Sequence, residues 1–183
     1  MSYLRSPKSA LIVLLLVAAS VTPALAEASL DIRPSICPNP IHRNAIEIVT
    51  AALVGDVDFV ISHLDIDMAS LELRRADGVG DSVKPFRLRR RKFLGDVAAP
   101  SESGVCSTFG ADGMLDLRLY FGQIRLVNQL ELAEFNGSIE LCLSGRTGEG
   151  DAFVACDEIT MVGIKLRVTP NPDDEDDVLP RLR

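Results

Sequence analysis

The segment Leu115-Asp116-Leu117-Arg118-Leu119-Tyr120-Phe121 decides the fold class, because its periodicity is the clearest in the chain. Leucine or phenylalanine occupies every second position, and Asp, Arg and Tyr occupy the positions between them. Alternate residues of a β-strand point to opposite faces of its sheet, whereas an apolar helix face repeats about every 3.6 residues. The segment therefore predicts a β-strand with one apolar face.

Short segments with strand signals lie on both sides of this one. Residues 45–54 are rich in β-branched side chains and predict a buried strand, with Ile46, Ile48 and Thr50 on one side. Alternation predicts strands at 70–74 and 139–144, and extended segments are predicted at 58–61, 152–154 and 159–168. Asn136-Gly137 predicts a hairpin turn, and the glycine-rich residues 145–150 predict a tight connection.

Helical spacing is found at Leu126, Val127 and Leu130, which is enough for a helix of about two turns. Many short strands separated by turn signals are typical of antiparallel sandwiches. We therefore predict an all-β fold over residues 27–169, an antiparallel β-sandwich with one short helix, cross-linked by disulfides.

The first 26 residues predict a secretory signal peptide. Arg5 and Lys8 precede an apolar run at 10–19, and Ala24-Leu25-Ala26 forms a small-x-small cleavage signature before Glu27. The run is shorter than the ~20 apolar residues that a membrane-spanning helix needs. We expect a secreted or periplasmic protein whose mature chain starts at Glu27 and has no membrane span after cleavage.

The mature chain is strongly acidic. Arg5 and Lys8 are the only charged residues among the first 26, so the other 157 residues carry 17 basic and 26 acidic side chains, a net charge of −9. Nucleic acid and anionic membranes repel such a chain and are disfavoured as partners. Residues 173–177 are a run of like charges in a polar C-terminal segment, so we predict a disordered acidic tail at 170–183.

The four cysteines, Cys37, Cys106, Cys142 and Cys156, all lie in the predicted mature chain. An even number of cysteines in an oxidising compartment predicts disulfides, and four cysteines allow three pairings. Free buried thiols are the alternative. A zinc site is less favoured, because no C-x-x-C motif or paired histidine accompanies the cysteines.

Several short motifs occur in order along the chain, and together they resemble an uncharacterised family of bacterial secreted β-domains over about residues 30–163. The resemblance implies a secreted β-sandwich and no established activity. The motifs are Asp31-Ile32-Arg33-Pro34, Pro38-Asn39-Pro40-Ile41, residues 58–65, Asp96-Val97-Ala98-Ala99-Pro100, residues 112–121, Leu141-Cys142-Leu143-Ser144-Gly145 and residues 153–159.

The resemblance bears on how the cysteines pair. Family members often carry cysteines at the positions of Cys142 and Cys156, and a hairpin would bring these two residues side by side. We therefore predict a Cys142–Cys156 disulfide, which leaves Cys37 and Cys106 as the second pair.

The resemblance also suggests a metal site at the D-G-x-x-D motif. In many family members this motif extends into a calcium loop, and Ca²⁺ takes about 6–8 oxygen ligands. Here the upstream ligand positions hold Thr108 and Gly110, so Asp112 and Asp116 remain as the carboxylate ligands beside the turn residue Gly113. Weak calcium binding is the one cofactor hypothesis; a turn that leads into the following strand explains the same residues without metal.

Residues 84–92 form a candidate anion-binding patch for an envelope polymer. The alternatives are a strand whose basic side chains are solvated, and pairing of these side chains with the acidic tail. The basic residues are Lys84, Arg87, Arg89, Arg90, Arg91 and Lys92.

These features favour a non-enzymatic binding or structural module of the cell envelope or extracellular space, with an envelope polymer or protein as its partner. A hydrolase acting on an envelope polymer is an alternative, and its catalytic pair would come from the loop carboxylates Asp56, Asp58, Asp65 and Asp67. A carbohydrate-binding module is the other alternative. It is less favoured because the predicted mature chain has one Tyr and no Trp for stacking.

We predict that the chain does not need calcium to fold. A site with a Kd of ~10⁻⁴–10⁻³ M adds little stability at low millimolar calcium, because the gain grows as the logarithm of ligand concentration over Kd. Thermal melts with chelator and with millimolar calcium should therefore agree within a few degrees. A larger shift that Asp112→Ala abolishes would instead establish a calcium site.

Overall fold

The computed structural model describes residues 26–61, 66–86, 93–101 and 107–163. Four predicted features lie outside these ranges: residues 1–25 of the signal peptide, the acidic tail, Cys106, and residues 87–92 of the basic patch. Among the helices of the described ranges, none is long and apolar enough to cross a membrane.

The described chain forms two β-sheets and one short helix, which confirms the predicted fold class. In chain order the elements are β1 (Ala26–Glu27), β2 (Ser29–Ile32), β3 (Asn39–His42), β4 (Ile48–Val54), β5 (Glu72–Arg75), β6 (Leu94–Gly95), β7 (Asp116–Gly122), α1 (Gln123–Gln129), β8 (Gly137–Arg146) and β9 (Ala152–Val162). One sheet has the strand order β1-β9-β8-β5, with β3 also paired to β9, and the other has the order β2-β4-β7-β6.

The apolar face of β7 packs into the core between the sheets, as the alternation predicts. Leu117, Leu119 and Phe121 are at most 6% exposed and belong to the same cluster as Leu143 of β8 and Phe153 of β9. Burying a large aliphatic or aromatic side chain contributes about 1.5–3 kcal/mol. The inner faces of the two sheets therefore share one core.

The outer face of β4 is covered as well, which the sequence did not predict. Ala52 and Val54 form a second buried cluster with Ala98, and Val97 packs against it. The segment that contains Val97 and Ala98 thus lies across this sheet. As a result, Asp116 and Tyr120, on the outer face of β7, are 0% and 2% exposed instead of solvated.

A long antiparallel ladder and a disulfide join β8 to β9. The two strands pair antiparallel over ten positions, with Cys142 directly opposite Cys156. These two residues form the predicted disulfide, with their Cα atoms 4.1 Å apart. Cys37 is also disulfide-bonded, and its predicted partner, Cys106, is outside the described residues.

Some local predictions are wrong because strand partners are set by distant residues. Ile46 lies before β4 and is 89% exposed, since β4 begins at Ile48 opposite Gly122, where β7 ends and α1 starts. Residues 58–61 form no strand, although Phe59 packs in the core. Residues 152–162 are one strand instead of two separate pieces, and β1 and β3 pair with β9 in parallel. Asn136-Gly137 precedes β8 but does not connect two strands, because α1 comes before it.

We predict that replacing both Cys142 and Cys156 with alanine lowers the free energy of unfolding by about 3 kcal/mol. The two residues are 14 positions apart, and the unfolded chain regains the conformations that this closed loop excludes, while the backbone ladder of the folded state persists. Urea unfolding without reductant measures the difference, since the Cys37 disulfide is then present in both proteins. A loss below about 1 kcal/mol would contradict the loop-closure argument.

Candidate functional site

Asp116, one of the two predicted calcium ligands, is a structural anchor. It is 0% exposed, and its Oδ1 accepts the Gly55 N–H at 3.1 Å. Its Oδ2 accepts the Val97 and Ala98 N–H groups at 2.7 and 3.0 Å. Burial raises the pKa of this carboxyl, and these hydrogen bonds oppose the rise. Asp116 therefore fastens β7 to the chain after β4 and to the segment that covers the sheet.

Asp112, the other predicted ligand, lies in an exposed turn closed by hydrogen bonds. The Asp96 carboxylate accepts the N–H groups of Asp112 and Gly113, each at 2.9 Å, and Asp112 Oδ1 accepts the Met114 N–H at 2.9 Å. The turn is thus held by protein groups, and weak calcium binding stays a prediction from the sequence.

Three metal-ligating side chains cluster in the described part of the chain: Glu140, Cys142 and Cys156. The two cysteine sulfurs of this group are joined in the disulfide. They are therefore not thiolate ligands, and this cluster holds no metal in the oxidised protein.

The other predicted polar residues form no common site within the described part of the chain, and Asp65 lies outside it. Lys84 is exposed and donates to the Ala69 carbonyl at 2.9 Å, while the other five basic residues of the patch are not described. Asp56 Oδ1 accepts the N–H groups of Asp58 and Phe59 within its own turn, both at 2.7 Å. Asp67 Oδ1 accepts the Ala69 N–H at 2.9 Å in the same manner.

A pocket of about 450 Å³ lies on the outer face of β4 and β7. Its walls come from these strands and from three loop segments. The lining residues are Arg33, Pro34, Ser35, Ile36, Ile48, Thr50, Val97, Gly110, Ala111, Arg118 and Tyr120.

The turn 33–36 supplies four of these residues and has an unusual backbone. Arg33 and Ser35 have φ values of 61° and 71°, in the left-handed region that residues other than glycine seldom adopt. Two hydrogen bonds stabilise the turn, from Arg33 N–H to the Thr50 carbonyl at 2.8 Å and from Ile36 N–H to the Arg33 carbonyl at 3.0 Å. Strained backbone of this kind is common at binding sites, where the surrounding structure holds it in place.

Asp157 holds both ends of this turn. It is 1% exposed, and its Oδ2 accepts the Ile32 N–H at 2.6 Å and the Asn39 side-chain amide at 2.8 Å. The Asn39 amide also donates to the Glu158 carbonyl at 2.8 Å. Burial raises the pKa of Asp157 to about 6, against the effect of its hydrogen bonds. The pocket turn is therefore fixed from β9, in the opposite sheet.

The two pocket arginines differ in their partners. Arg33 Nη2 donates to Glu47 Oε1 at 2.6 Å and to Gln123 Oε1 at 3.0 Å. The Arg118 side chain has no hydrogen-bond or ion-pair partner in the described part of the chain, and its Nε is buried. Its guanidinium lies over Gly95, where an added Cβ would overlap Nη2. The glycine therefore leaves the space that the guanidinium occupies.

Two other buried arginines are saturated by backbone carbonyls. Arg43 donates to the carbonyls of Ala133, Phe135 and Gly163 and to the Asn136 side chain. Arg75 donates to two carbonyls after α1 and to Asp77, and its guanidinium lies 5.1 Å from the centre of the Phe135 ring. These arginines stabilise the fold and are not available to a ligand.

A wider depression of about 690 Å³ lies at the turn between β8 and β9. Its basic side chain, Arg146, donates to the Gly150 carbonyl at 3.0 Å. We therefore favour the smaller pocket as the candidate binding site, because there a partly exposed guanidinium with a buried Nε has no acceptor among the described residues.

The sequence contained both pocket arginines but did not connect them. Arg33 lies in the Asp31–Pro34 motif and Arg118 in the alternating strand, where we expected a solvated side chain. No local pattern indicates that the turn after β2 reaches the outer face of β7, because β4 separates the two strands. The available signal was an arginine within each of two motifs.

Comparison with known proteins finds no match to this chain among protein-family models, curated proteins or solved structures. The resemblance to secreted β-domains therefore stays a prediction from the motifs. The case for a function depends on the geometry of the pocket.

Asp31, two residues before Arg33, is a buried carboxyl. It is 2% exposed, and neither of its oxygens has a hydrogen-bond partner of ordinary geometry. Burial raises its pKa to about 7, the charges of Asp157 and Asp116 add to the rise, and the backbone N–H of Ser35 opposes it. Since an unfolded aspartate titrates near pH ~3.9, the folded state keeps a proton that the unfolded state loses between about pH 4 and pH 7.

We predict that the free energy of unfolding falls as pH rises through that window, because the folded state keeps Asp31 protonated while the unfolded state ionises it. Asp31→Asn should match the wild type near pH ~4 and exceed its free energy of unfolding by up to about 4 kcal/mol above pH ~7, because asparagine is neutral throughout. Urea unfolding across the pH range measures the difference. Asp151→Asn, an exposed site, is the matched control, and a constant difference between Asp31→Asn and wild type would contradict the prediction.

Proposed function

We propose that this protein is a non-enzymatic binding module of the cell envelope or extracellular space, and that its pocket accepts a ligand with an anionic group. The observation that carries the proposal is the Arg118 guanidinium, which has no partner among the described residues and lines a pocket of about 450 Å³ together with Arg33. Pockets of about 300–1,000 Å³ are typical of small-ligand sites, and a guanidinium offers a planar set of donors to carboxylates and phosphates.

The lining gives little support to the hydrolase alternative. Among the described residues, the pocket wall contains no Asp, Glu, His or Cys side chain to act as a general acid, base or metal ligand. The carbohydrate-binding alternative is also poorly supported. Tyr120, the aromatic residue of the described lining, is 2% exposed, so it has no free face on which a sugar ring could stack.

An extracytoplasmic location fits the cross-links. The Cys142–Cys156 disulfide and the disulfide of Cys37 are bonds that persist in oxidising compartments and are rare in the cytosol. The same compartment follows from the predicted signal peptide. The ligand would therefore be a component of the envelope or of the medium.

We predict that Arg118→Gln weakens binding of anilinonaphthalene sulfonate, a fluorescent probe with one anionic group and an apolar body, by about tenfold or more. A hydrogen bond to a charged group contributes about 1.5–3 kcal/mol, and the substitution removes it while leaving a polar side chain of similar length. Fluorescence titration of the oxidised full-length protein measures the Kd.

The matched control is Arg125→Gln, which makes the same change of charge on the exposed face of α1, outside the pocket. It should leave the Kd unchanged, and thermal melts should show both variants folded. Equal weakening by the two variants would indicate a general charge effect and would contradict binding at the pocket.

A further inference from the structure

The two arginines of the pocket differ in whether a neighbouring carboxylate neutralises their charge. The Arg33 guanidinium, 16% exposed, forms an ion pair with Glu47, whose side chain is 38% exposed. Gln123 holds the other side of this contact: its own side chain is 1% exposed and donates to the His42 carbonyl, and its backbone N–H donates to the Glu47 carbonyl at 3.0 Å. Arg33 is therefore positioned and largely neutralised before a ligand arrives.

Arg118 has no such counter-charge. Four ion pairs occur between described residues, and none includes Arg118. Two buried carboxyls share this face of the sheet, since Asp116 lies two residues before Arg118 on β7 and Asp31 pairs with Ala52, which is opposite Arg118. Neither forms an ion pair with Arg118 among the described residues, and three backbone N–H groups hold the Asp116 carboxylate. Among the described lining residues and their ion-pair partners, Arg118 is the one positive charge without a paired carboxylate.

One positive charge in a partly desolvated pocket matches one negative charge on a ligand. A dianion would bring a second charge that must lose water without a cation to receive it, and such desolvation is costly. The charge balance thus favours a carboxylate or another monoanion over a phosphate monoester.

The rest of the wall is suited to an aliphatic body. Pro34, Ile36, Ile48 and Val97 contribute apolar surface to the pocket. Ile36 and Ile48 are each 45% exposed, so part of their apolar surface is open to a ligand. A ligand with an apolar chain would cover them and gain from the area removed from water.

On the basis of the proposed function, we infer that the pocket selects aliphatic monoanions, and that Glu47 sets this selectivity by neutralising Arg33. The carboxylate of the ligand bonds to Arg118, and its chain packs on Ile36 and Ile48. Loss of the Glu47 charge would release the Arg33 guanidinium and turn the pocket into a site for dianions.

Calorimetric titration with three probes of equal chain length tests the inference: octanoate, octyl phosphate and octanamide, at about pH 8, where an alkyl phosphate is doubly charged. The wild type should bind octanoate at least about threefold more tightly than octyl phosphate, and octanamide at least about tenfold more weakly than octanoate. In Glu47→Gln the ratio of the two anion affinities should shift toward octyl phosphate by about fivefold or more, since one more guanidinium is free.

The control is Glu149→Gln, which makes the same change of charge at an exposed turn outside the pocket. It should leave the affinity ratio unchanged, which separates the local effect of Glu47 from the effect of net charge. Arg118→Gln should weaken both anions, since both use that guanidinium.

The outcomes separate this inference from the proposed function. Octyl phosphate binding as tightly as octanoate to the wild type would overturn the selectivity, while anion binding stands. An unchanged ratio in Glu47→Gln would overturn the role of Glu47. Binding of the sulfonate probe with no binding of octanoate would overturn the aliphatic class. Octanamide binding as tightly as octanoate, or no binding of any probe, would overturn the proposed function itself.

Discussion

A single carboxylate oxygen, Oδ2 of Asp157, joins the two sheets and fixes the pocket turn. It accepts the Ile32 N–H, which belongs to the edge strand β2 of one sheet, and the Asn39 amide, which lies on β3 of the other. Leaving one buried donor without an acceptor costs about 1–3 kcal/mol, so both strand ends are strongly held. Ile32 and Asn39 flank residues 33–38, which include the turn 33–36. The same oxygen therefore also limits how far Arg33 and Ile36 can move.

Two buried aspartates, Asp116 and Asp157, are satisfied by uncharged N–H donors and not by cations. Asp116 and Asp157 accept three hydrogen bonds each, all from uncharged donors. Asp31 has no such set of donors, and the backbone N–H of Ser35 alone acts to lower its pKa. Burial and the charges of Asp157 and Asp116 therefore raise the pKa of Asp31 to about 7, against about 6 for Asp157.

The sequence predicted what local spacing controls, and it missed what distant segments control. Alternation fixed the inward face of β7, and the hairpin position predicted the Cys142–Cys156 disulfide. The outward residues of β7 were expected to be solvated, because nothing near them in sequence indicates that the chain around Val97 returns to cover this sheet. Ile46 was misplaced for the same reason, since the start of β4 depends on where β7 ends. Both pocket arginines lay within motifs, but their proximity is a property of the tertiary fold.

Three alternate residues on the outer face of β7 have different roles. Asp116 anchors the strand through three backbone donors, Tyr120 is buried with its ring in edge contact with Phe93, and Arg118 lies between them. Its guanidinium lies over Gly95, where a larger residue would take up the space it occupies. The buried Nε of Arg118 has no acceptor among the described residues, and a buried donor without an acceptor costs stability. The inner face of β7 contributes to the core, while its outer face holds this unfavourable donor. A bound anion would supply the missing acceptor and offset the loss of stability.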